Sequence, residues 1–315
     1  MTNPSLEAVN LSKVYGSFTA LSNLNLKIEG SKCIGFLGPN GAGKTTTLKI
    51  FTDLIRPSSG HAFINGANVH THKKQALASV GTVIETPEMY PSSTPRVALT
   101  VIAEMRGVPH AERKKKIEEV IAEVGMTEWM DKRVGKFSKG MKQRVCIASA
   151  LLSDPEIVLL DEPTSGLDPR GMSEVRDIVK SLKSKDRLVF MSSHLLSEVE
   201  DVCDEVAMID HGKLLVYDTL NNVTSKFSGG SNTVEVGLAR PIDAATVENQ
   251  IARIPGVVSA DLKGGTNLII KSSDSASNQE SLLTALVGMR IGVISFRPSS
   301  SALEESYLNL IKDTL

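Results

Sequence analysis

The sequence predicts an α/β chain in two parts: a mainly parallel sheet flanked by helices, then a smaller α+β domain. Three observations carry this expectation. Short apolar runs bounded by turn residues recur through the first two thirds and alternate with helix-length segments, the pattern of buried parallel strands with crossover helices. A glycine-rich turn separates one of these runs from a helix. After the linker-like stretch SKFSGGSN at 225–232 the order changes to strand, helix, strand, strand, helix, strand, a ferredoxin-like split βαβ arrangement.

Taken in order, residues 5–12 and 20–28 alternate apolar and polar, as at Leu24, Leu26 and Ile28, and read as half-buried strands. Cys33 to Leu37 is an apolar run between glycines, a buried strand, and Thr45 to Leu54 follows as a helix. Val80–Ile84, Ile157–Leu160, Leu188–Met191 and Val206–Ile209 are four further buried-strand candidates. Residues 94–152 read as mostly helical: Thr94 caps a periodic segment, and Ile117, Val120, Ile121 and Val124 share one face of the next. The run Arg113-Lys114-Lys115-Lys116 falls on the outer side of that helix as a solvated face. The expected organisation is a first domain over 1–224 with a helical subdomain at about 87–152, a linker at 225–232, and an accessory α+β domain over 233–315. That accessory domain holds strands at 233–238, 257–263, 267–271 and 291–297, helices at 243–253 and 278–289, and a closing amphipathic helix near 301–312.

Composition removes several classes. With 41% hydrophobic and 23% charged residues in 315, the chain can bury a sizeable core and is neither disordered nor fibrous. A net charge of −1 supplies no basic field, so no nucleic-acid partner is expected. No apolar run approaches the roughly 20 residues of a membrane span, and the start MTNPSLEAVN has no signal-peptide pattern. Cys33, Cys146 and Cys203 have no metal spacing and read as reduced core thiols. His70-Thr71-His72 reads as surface decoration rather than a metal site.

Gly38-Pro39-Asn40-Gly41-Ala42-Gly43-Lys44-Thr45 fits G-x-x-x-x-G-K-[ST], with Thr46 next. Glycines there let backbone N–H groups converge on phosphate oxygens at the positive end of a helix. Lys44 supplies a point charge for the β- and γ-phosphates, and the Thr45 hydroxyl is the expected Mg²⁺ ligand. Asp161, at the end of the run Ile157–Leu160, is placed to serve the metal, and Glu162, one residue further, to orient and deprotonate an attacking water. His194, just beyond another strand end, lies at the sheet edge where ligands bind and is a candidate donor to the γ-phosphate.

With these residues in place, about 5–220 resembles the ATP-binding subunits of ABC transporters. GPNGAGKTT (38–46) matches the Walker A motif, FSKGM (137–141) followed by KQR the signature, and IVLLDEP (157–163) Walker B. SGLD (165–168) matches the D-loop, His194 the switch histidine, and Tyr15 in KVYG the aromatic that stacks on adenine. The resemblance implies a P-loop NTPase fold of ABC type, with a mainly parallel sheet, an antiparallel β subdomain and a helical subdomain. It implies a head-to-tail homodimer with two ATPs and Mg²⁺ between Walker A of one subunit and the signature of the other. Ser138 and Gly140 would then meet the γ-phosphate in trans and Asp168 would communicate between sites. Integral membrane permease subunits, separately encoded, would be the partners, and the cytoplasmic face of the membrane the place of work.

Two departures qualify the match. Lys139 and Met141 stand where the signature usually has Gly and Gln, with Ser138 and Gly140 retained. Glu85, after the strand at 80–84, occupies the position of a glutamine that senses Mg²⁺ and the membrane partner. A glutamate keeps a metal-facing oxygen but loses the amide donors. Similar glutamate-bearing loops occur in the branch that exports or confers immunity to antibiotic peptides. The leading expectation is therefore an ATPase subunit of an export system. The alternative is a soluble ABC ATPase of translation, DNA repair or cluster assembly, although this chain has one motif set and no long coiled coil. A non-hydrolysing regulator conflicts with the Asp161, Glu162 and His194 set.

Overall fold

The structure is a computed structural model that describes residues 3–85, 89–227, 231–273, 276–298, 303 and 307. The chain divides into two compact units, 1–219 and 220–315.

The first unit opens with β1 (Ser5–Tyr15) and β2 (Phe18–Glu29), joined by the two-residue turn Gly16-Ser17, then β3 (Cys33–Leu37), α1 (Lys44–Phe51), β4 (Ser59–Ile64), β5 (Ala67–Asn68) and α2 (Lys73–Ala76). Next come β6 (Val80–Val83), α3 (Pro95–Met105), α4 (His110–Glu123) and α5 (Lys139–Ala150). It closes with β7 (Ile157–Leu160), α6 (Pro169–Lys183), β8 (Leu188–Ser193), α7 (Leu196–Val202), β9 (Glu205–Asp210) and β10 (Lys213–Thr219). One sheet has the order β2-β1-β4-β5 and is antiparallel. The other runs β10-β9-β3-β8-β7-β6, with every pair parallel except β9 with β10.

The parallel strands carry apolar residues on both faces because both faces are covered. Every residue of β3, β7 and β8 is buried. Phe190 of β8 lies 5.2 Å, ring centre to ring centre, from Phe36 of β3 and 6.3 Å from Phe51 of α1, so α1 is seated directly on the sheet. In the helical region, Thr94 caps α3 by accepting the Val97 N–H, with Pro95 at the first helical position. Ile117, Val120, Ile121 and Val124 are all buried, as their spacing requires. Arg187 at the entry to β8 is itself buried and donates to Glu123 of α4 (2.7 Å) and Asp154 (2.9 Å), tying the helical region to the sheet. The three cysteines are buried as expected, and folding brings Cys33 and Cys203 together, Sγ to Sγ 3.6 Å.

The second unit contains α8 (Leu220–Phe227), β11 (Ser231–Leu238), α9 (Ala244–Thr246), β12 (Val257–Lys263), β13 (Asn267–Ser273), α10 (Ala276–Gly288) and β14 (Val293–Pro298). Its antiparallel sheet runs β12-β13-β11-β14, the order a split βαβ unit produces. Two details differ from the sequence expectation. Residues 225–227 of the expected linker belong to α8 and 231–232 to β11, while 228–230 lie outside the described residues. The linker was read from composition, whereas Leu220, Val223 and Phe227 already follow a helical spacing. The expected helix 243–253 is short and widens into π turns at Val247–Ile251, which still buries Val247, Ile251 and Ile254. The expected closing helix lies outside the described residues apart from Leu303 and Tyr307.

Gly38 follows β3, and a Cβ there would stand 2.3 Å from the Ile209 carbonyl oxygen of β9. Backbone cannot yield as a flexible side chain can. Gly38→Ala should therefore lower unfolding stability by about 1–3 kcal/mol, measured as a fall in the urea midpoint at unchanged m-value.

Candidate functional site

Four neighbouring parallel strands, in the order β3-β8-β7-β6, bring their carboxyl ends to one edge of the sheet. The loop 38–43 follows β3, His194 follows β8, Asp161 and Glu162 follow β7, and Glu85 lies two residues beyond β6. The chain separates these groups by between about thirty and over a hundred and fifty residues; sheet order makes them neighbours.

The loop after β3 is built for backbone approach. Gly41 and Gly43 have φ of 85° and 107°, which side chains with a Cβ rarely adopt. Hydrogen bonding of α1 begins with the Thr47 N–H to Gly43 O at 2.9 Å, so the N–H groups ahead of it open from the helix end. Lys44, the first helical residue, is only 4% exposed. A buried ammonium must be compensated, and this one donates to Gly38 O (2.7 Å) and Pro39 O (3.1 Å) and lies 3.3 Å from Glu162 Oε1. The other oxygen of Glu162 lies 3.2 Å from His194 Nδ1. An ionised carboxylate only accepts, so Nδ1 is then the donor. Glu162 thus joins the lysine of one strand end to the histidine of another.

Holding Glu162 there requires a left-handed backbone, φ 42°, unusual for a residue with a Cβ. Ser192 at the end of β8 supports it. Its Oγ accepts the Glu162 N–H (2.9 Å) and donates to Asp161 Oδ1 (2.6 Å). One buried hydroxyl therefore orients both carboxylate-bearing residues. The sequence reading missed Ser192, because a serine before the histidine carries no signal until β7 and β8 are paired. The loop bearing His194 is fixed in its turn: Ser193 Oγ donates to Glu198 Oε2 (2.9 Å) and accepts the Leu195 N–H (2.9 Å).

A cleft of about 190 Å³ lies over the loop, lined by Tyr15, Phe18, Ala20, Asn40, Gly41, Gly43, Lys44, Thr45, Thr46 and Glu162. Tyr15 and Phe18 are register partners across the β1–β2 turn and are 45% and 59% exposed, so two aromatic rings border one cleft. Lys13 Nζ stands 4.9 Å from the Tyr15 ring centre. Phe18 is the second residue the sequence reading missed; the two-residue hairpin, which sets residue 18 opposite 15, was the signal available.

Other expected residues are placed as follows. Thr45 begins α1 beside Lys44, and its hydroxyl with the Asp161 carboxylate are hard oxygen donors of the kind Mg²⁺ takes. The carboxylate of Glu85 lies 2.5 Å from Lys49 Nζ on α1. That pairing, above all the hydrogen bond, holds the Lys49 ammonium above its usual pKa. Lys49 is a partner the sequence did not reveal for the unusual glutamate. Ser138 N-caps α5, its Oγ accepting the Met141 N–H at 3.2 Å, and the hydroxyl proton remains available to a ligand. Gly140 is buried and Asp168, the exposed N-cap of α6, makes no side-chain cap bond. Neither Ser138 nor Gly140 is among the residues lining the cleft at Lys44. His70 pairs with Asp53, and among the described residues no group of three His, Cys, Asp or Glu could hold a metal.

The donor set fits a nucleoside triphosphate: helix-end N–H groups, a buried ammonium, an exposed histidine and two aromatics around one cleft. Ser192→Ala should lower kcat for ATP hydrolysis roughly three- to thirtyfold, the span of one to two lost hydrogen bonds, with nucleotide affinity little changed. A steady-state assay paired with a thermal melt checks this; wild-type kcat would remove Ser192 from the machinery.

A family model described as "ABC transporter" matches residues 21–165, and one described as "AAA domain, putative AbiEii toxin, Type IV TA system" matches 131–200. The chain is 37% identical over 310 residues to the bacitracin transport ATP-binding protein BcrA of Bacillus licheniformis, covering 97% of each chain. It is 38% identical over 227 residues to the lantibiotic transport ATP-binding protein SrtF of Streptococcus pyogenes, covering 71% of this chain and 96% of that one. A solved structure of the ATP-binding subunit of an ABC transporter matches with a TM-score of 0.63 at 28% identity, covering 70% of this chain and 92% of its own. At 37% identity over 97% of both chains, the likeness shows that the chain belongs to the ABC transporter family, as an ATP-binding subunit that hydrolyses ATP.

Proposed function

We propose that this ATPase powers export of peptide antibiotics through separately encoded membrane-spanning subunits, working as a head-to-tail homodimer at the cytoplasmic face of the membrane. The carboxylate of Glu162 between Lys44 and His194 is the observation that carries the chemistry. The likeness to bacitracin and lantibiotic transport proteins over most of their length supports the cargo class. None of the helices among the described residues is long and apolar enough to cross a membrane, in keeping with separate membrane subunits.

In this reading Tyr15 stacks on adenine, with Phe18 beside it. The loop 38–46, namely Gly38, Pro39, Asn40, Gly41, Ala42, Gly43, Lys44, Thr45 and Thr46, wraps the phosphates, with Lys44 as point charge. Thr45 and Asp161 hold Mg²⁺, which supplies neutralisation of developing phosphate charge. Glu85 is the loop-borne acid beside them, with Lys49 as counter-charge. Glu162 orients the attacking water and takes its proton, and His194 secures the carboxylate through Nδ1 and reaches the γ-phosphate. Ser138 and Gly140 of the partner close over that phosphate, and Asp168 links the two sites. Among its described residues the second unit carries no comparable constellation, and its role is accessory.

Glu162→Gln should bind ATP yet lose at least the roughly 10²–10⁴-fold contributed by a general base, and should accumulate as an ATP-bound dimer on size exclusion. Turnover near wild type would sink the assignment. Tyr15→Ala and Phe18→Ala should each weaken ATP affinity by about five- to 150-fold, and the double variant by more, since base–aromatic stacking is worth about 1–3 kcal/mol. Equilibrium binding of a fluorescent ATP analogue measures this, and unchanged affinity in both places adenine elsewhere. For the cargo, expression with the cognate membrane subunits should raise bacitracin or lantibiotic tolerance of a sensitive bacterium, and the Glu162→Gln form should not.

A further inference from the structure

Lys139 departs from the usual signature, and folding gives its side chain a definite partner. Ser138 caps α5 and Lys139 is its first residue, exposed to solvent. Its ammonium donates to the carbonyl oxygen of Ser165 at 2.8 Å. Ser165 in turn donates its N–H to the carbonyl of Glu162 at 3.0 Å. Two hydrogen bonds thus run from the residue beside the signature serine to the backbone of the residue that carries the reactive carboxylate.

The segment 162–168 is shaped around this contact. Gly166 has φ 67°, and a Cβ on it would stand 2.5 Å from Lys139 Nζ. Just beyond, α5 and α6 meet through glycines: a Cβ on Gly140 would lie 3.3 Å from Gly171 Cα. The two helix starts are therefore in close backbone contact, with the lysine as a polar strut beside it. Lys139 makes no ion pair among the described residues, so its directed bond is to the Ser165 carbonyl.

We propose that Lys139 is a positioning residue that makes the signature and the segment 162–168 of one subunit move as one body. The inference rests on the head-to-tail dimer. There, Ser138 and Gly140 of a subunit serve the nucleotide held by its partner, whereas Glu162 of the same subunit serves its own nucleotide. Lys139 therefore joins groups that belong to different sites. Seating of a phosphate on one signature is transmitted through Lys139 and Ser165 to the left-handed backbone of Glu162 at the other site. An uncharged residue of equal length has no donor for the Ser165 carbonyl and uncouples them.

The test uses the full chain, with Lys139→Met removing the donor and Lys139→Arg restoring one. ATP dependence of hydrolysis gives kcat, KM and the Hill coefficient, and a thermal melt controls for folding. Lys139→Met should lower kcat about three- to tenfold, as for one lost hydrogen bond of ordinary strength. Its Hill coefficient should fall toward one, while KM and Tm stay close to wild type. Lys139→Arg should recover both kcat and cooperativity. Wild-type kcat and cooperativity in Lys139→Met would overturn the proposal. A rise in KM alone would do the same, because it assigns the lysine to direct phosphate binding, as would equal impairment of both variants. Size exclusion of the Glu162→Gln form with ATP separates the two levels. A dimer with an unaffected Lys139→Met overturns the lysine's role alone, whereas a persistent monomer overturns the head-to-tail reading on which it rests.

Discussion

The site depends on one costly arrangement, a lysine ammonium held almost out of water at the end of a parallel strand. Lys44 cannot be left there uncompensated, because removing a charge from solvent costs several kcal/mol unless oxygens replace the water. Gly38 and Pro39 carbonyls and the Glu162 carboxylate supply those oxygens. Each requirement then propagates. The carbonyls face inward only if the loop turns through left-handed glycines, and Glu162 reaches the lysine only from a left-handed backbone of its own.

The second consequence is a network that spans three strand ends. Ser192 of β8 holds both residues that follow β7, and His194, two residues on, meets the Glu162 carboxylate. A shift in any of the β3–β8–β7 registers would separate donor from acceptor by a full residue step. The buried phenylalanines that seat α1 on the sheet thus serve chemistry as well as stability, because they fix the helix whose first residue is Lys44.

The second unit contrasts with this. Its sheet is antiparallel, and its polar contacts are of a structural kind: Glu235 on β11 accepts from Asn267 (2.5 Å) and from Arg297 (3.0 Å). Those bonds, that from Asn267 foremost, hold its carboxyl below the usual carboxylate range. They tie β11 to both of its neighbours in the sheet.

By itself the sequence determined most of the strands and helices, though not β4, β5, β10 or α2, and singled out the candidate groups at the sheet edge. Local rules govern these: alternation, apolar runs, a capping threonine at Thr94, and a glycine pattern that only phosphate-binding loops need. It also gave the split βαβ order of the second unit, but not the π turns at Val247–Ile251 or the extent of α8, where composition misleads about backbone. Tertiary structure alone decided the partners. Ser192 acquired a role only when β8 paired with β7, Phe18 when the hairpin set it opposite Tyr15, Lys49 when α1 lay beside the loop after β6, and Lys139 when α5 met α6. The physical reason is the same in each case. A hydrogen bond or ion pair depends on distances of about 3 Å between atoms far apart in the chain, and no local pattern encodes which distant strand or helix will arrive there.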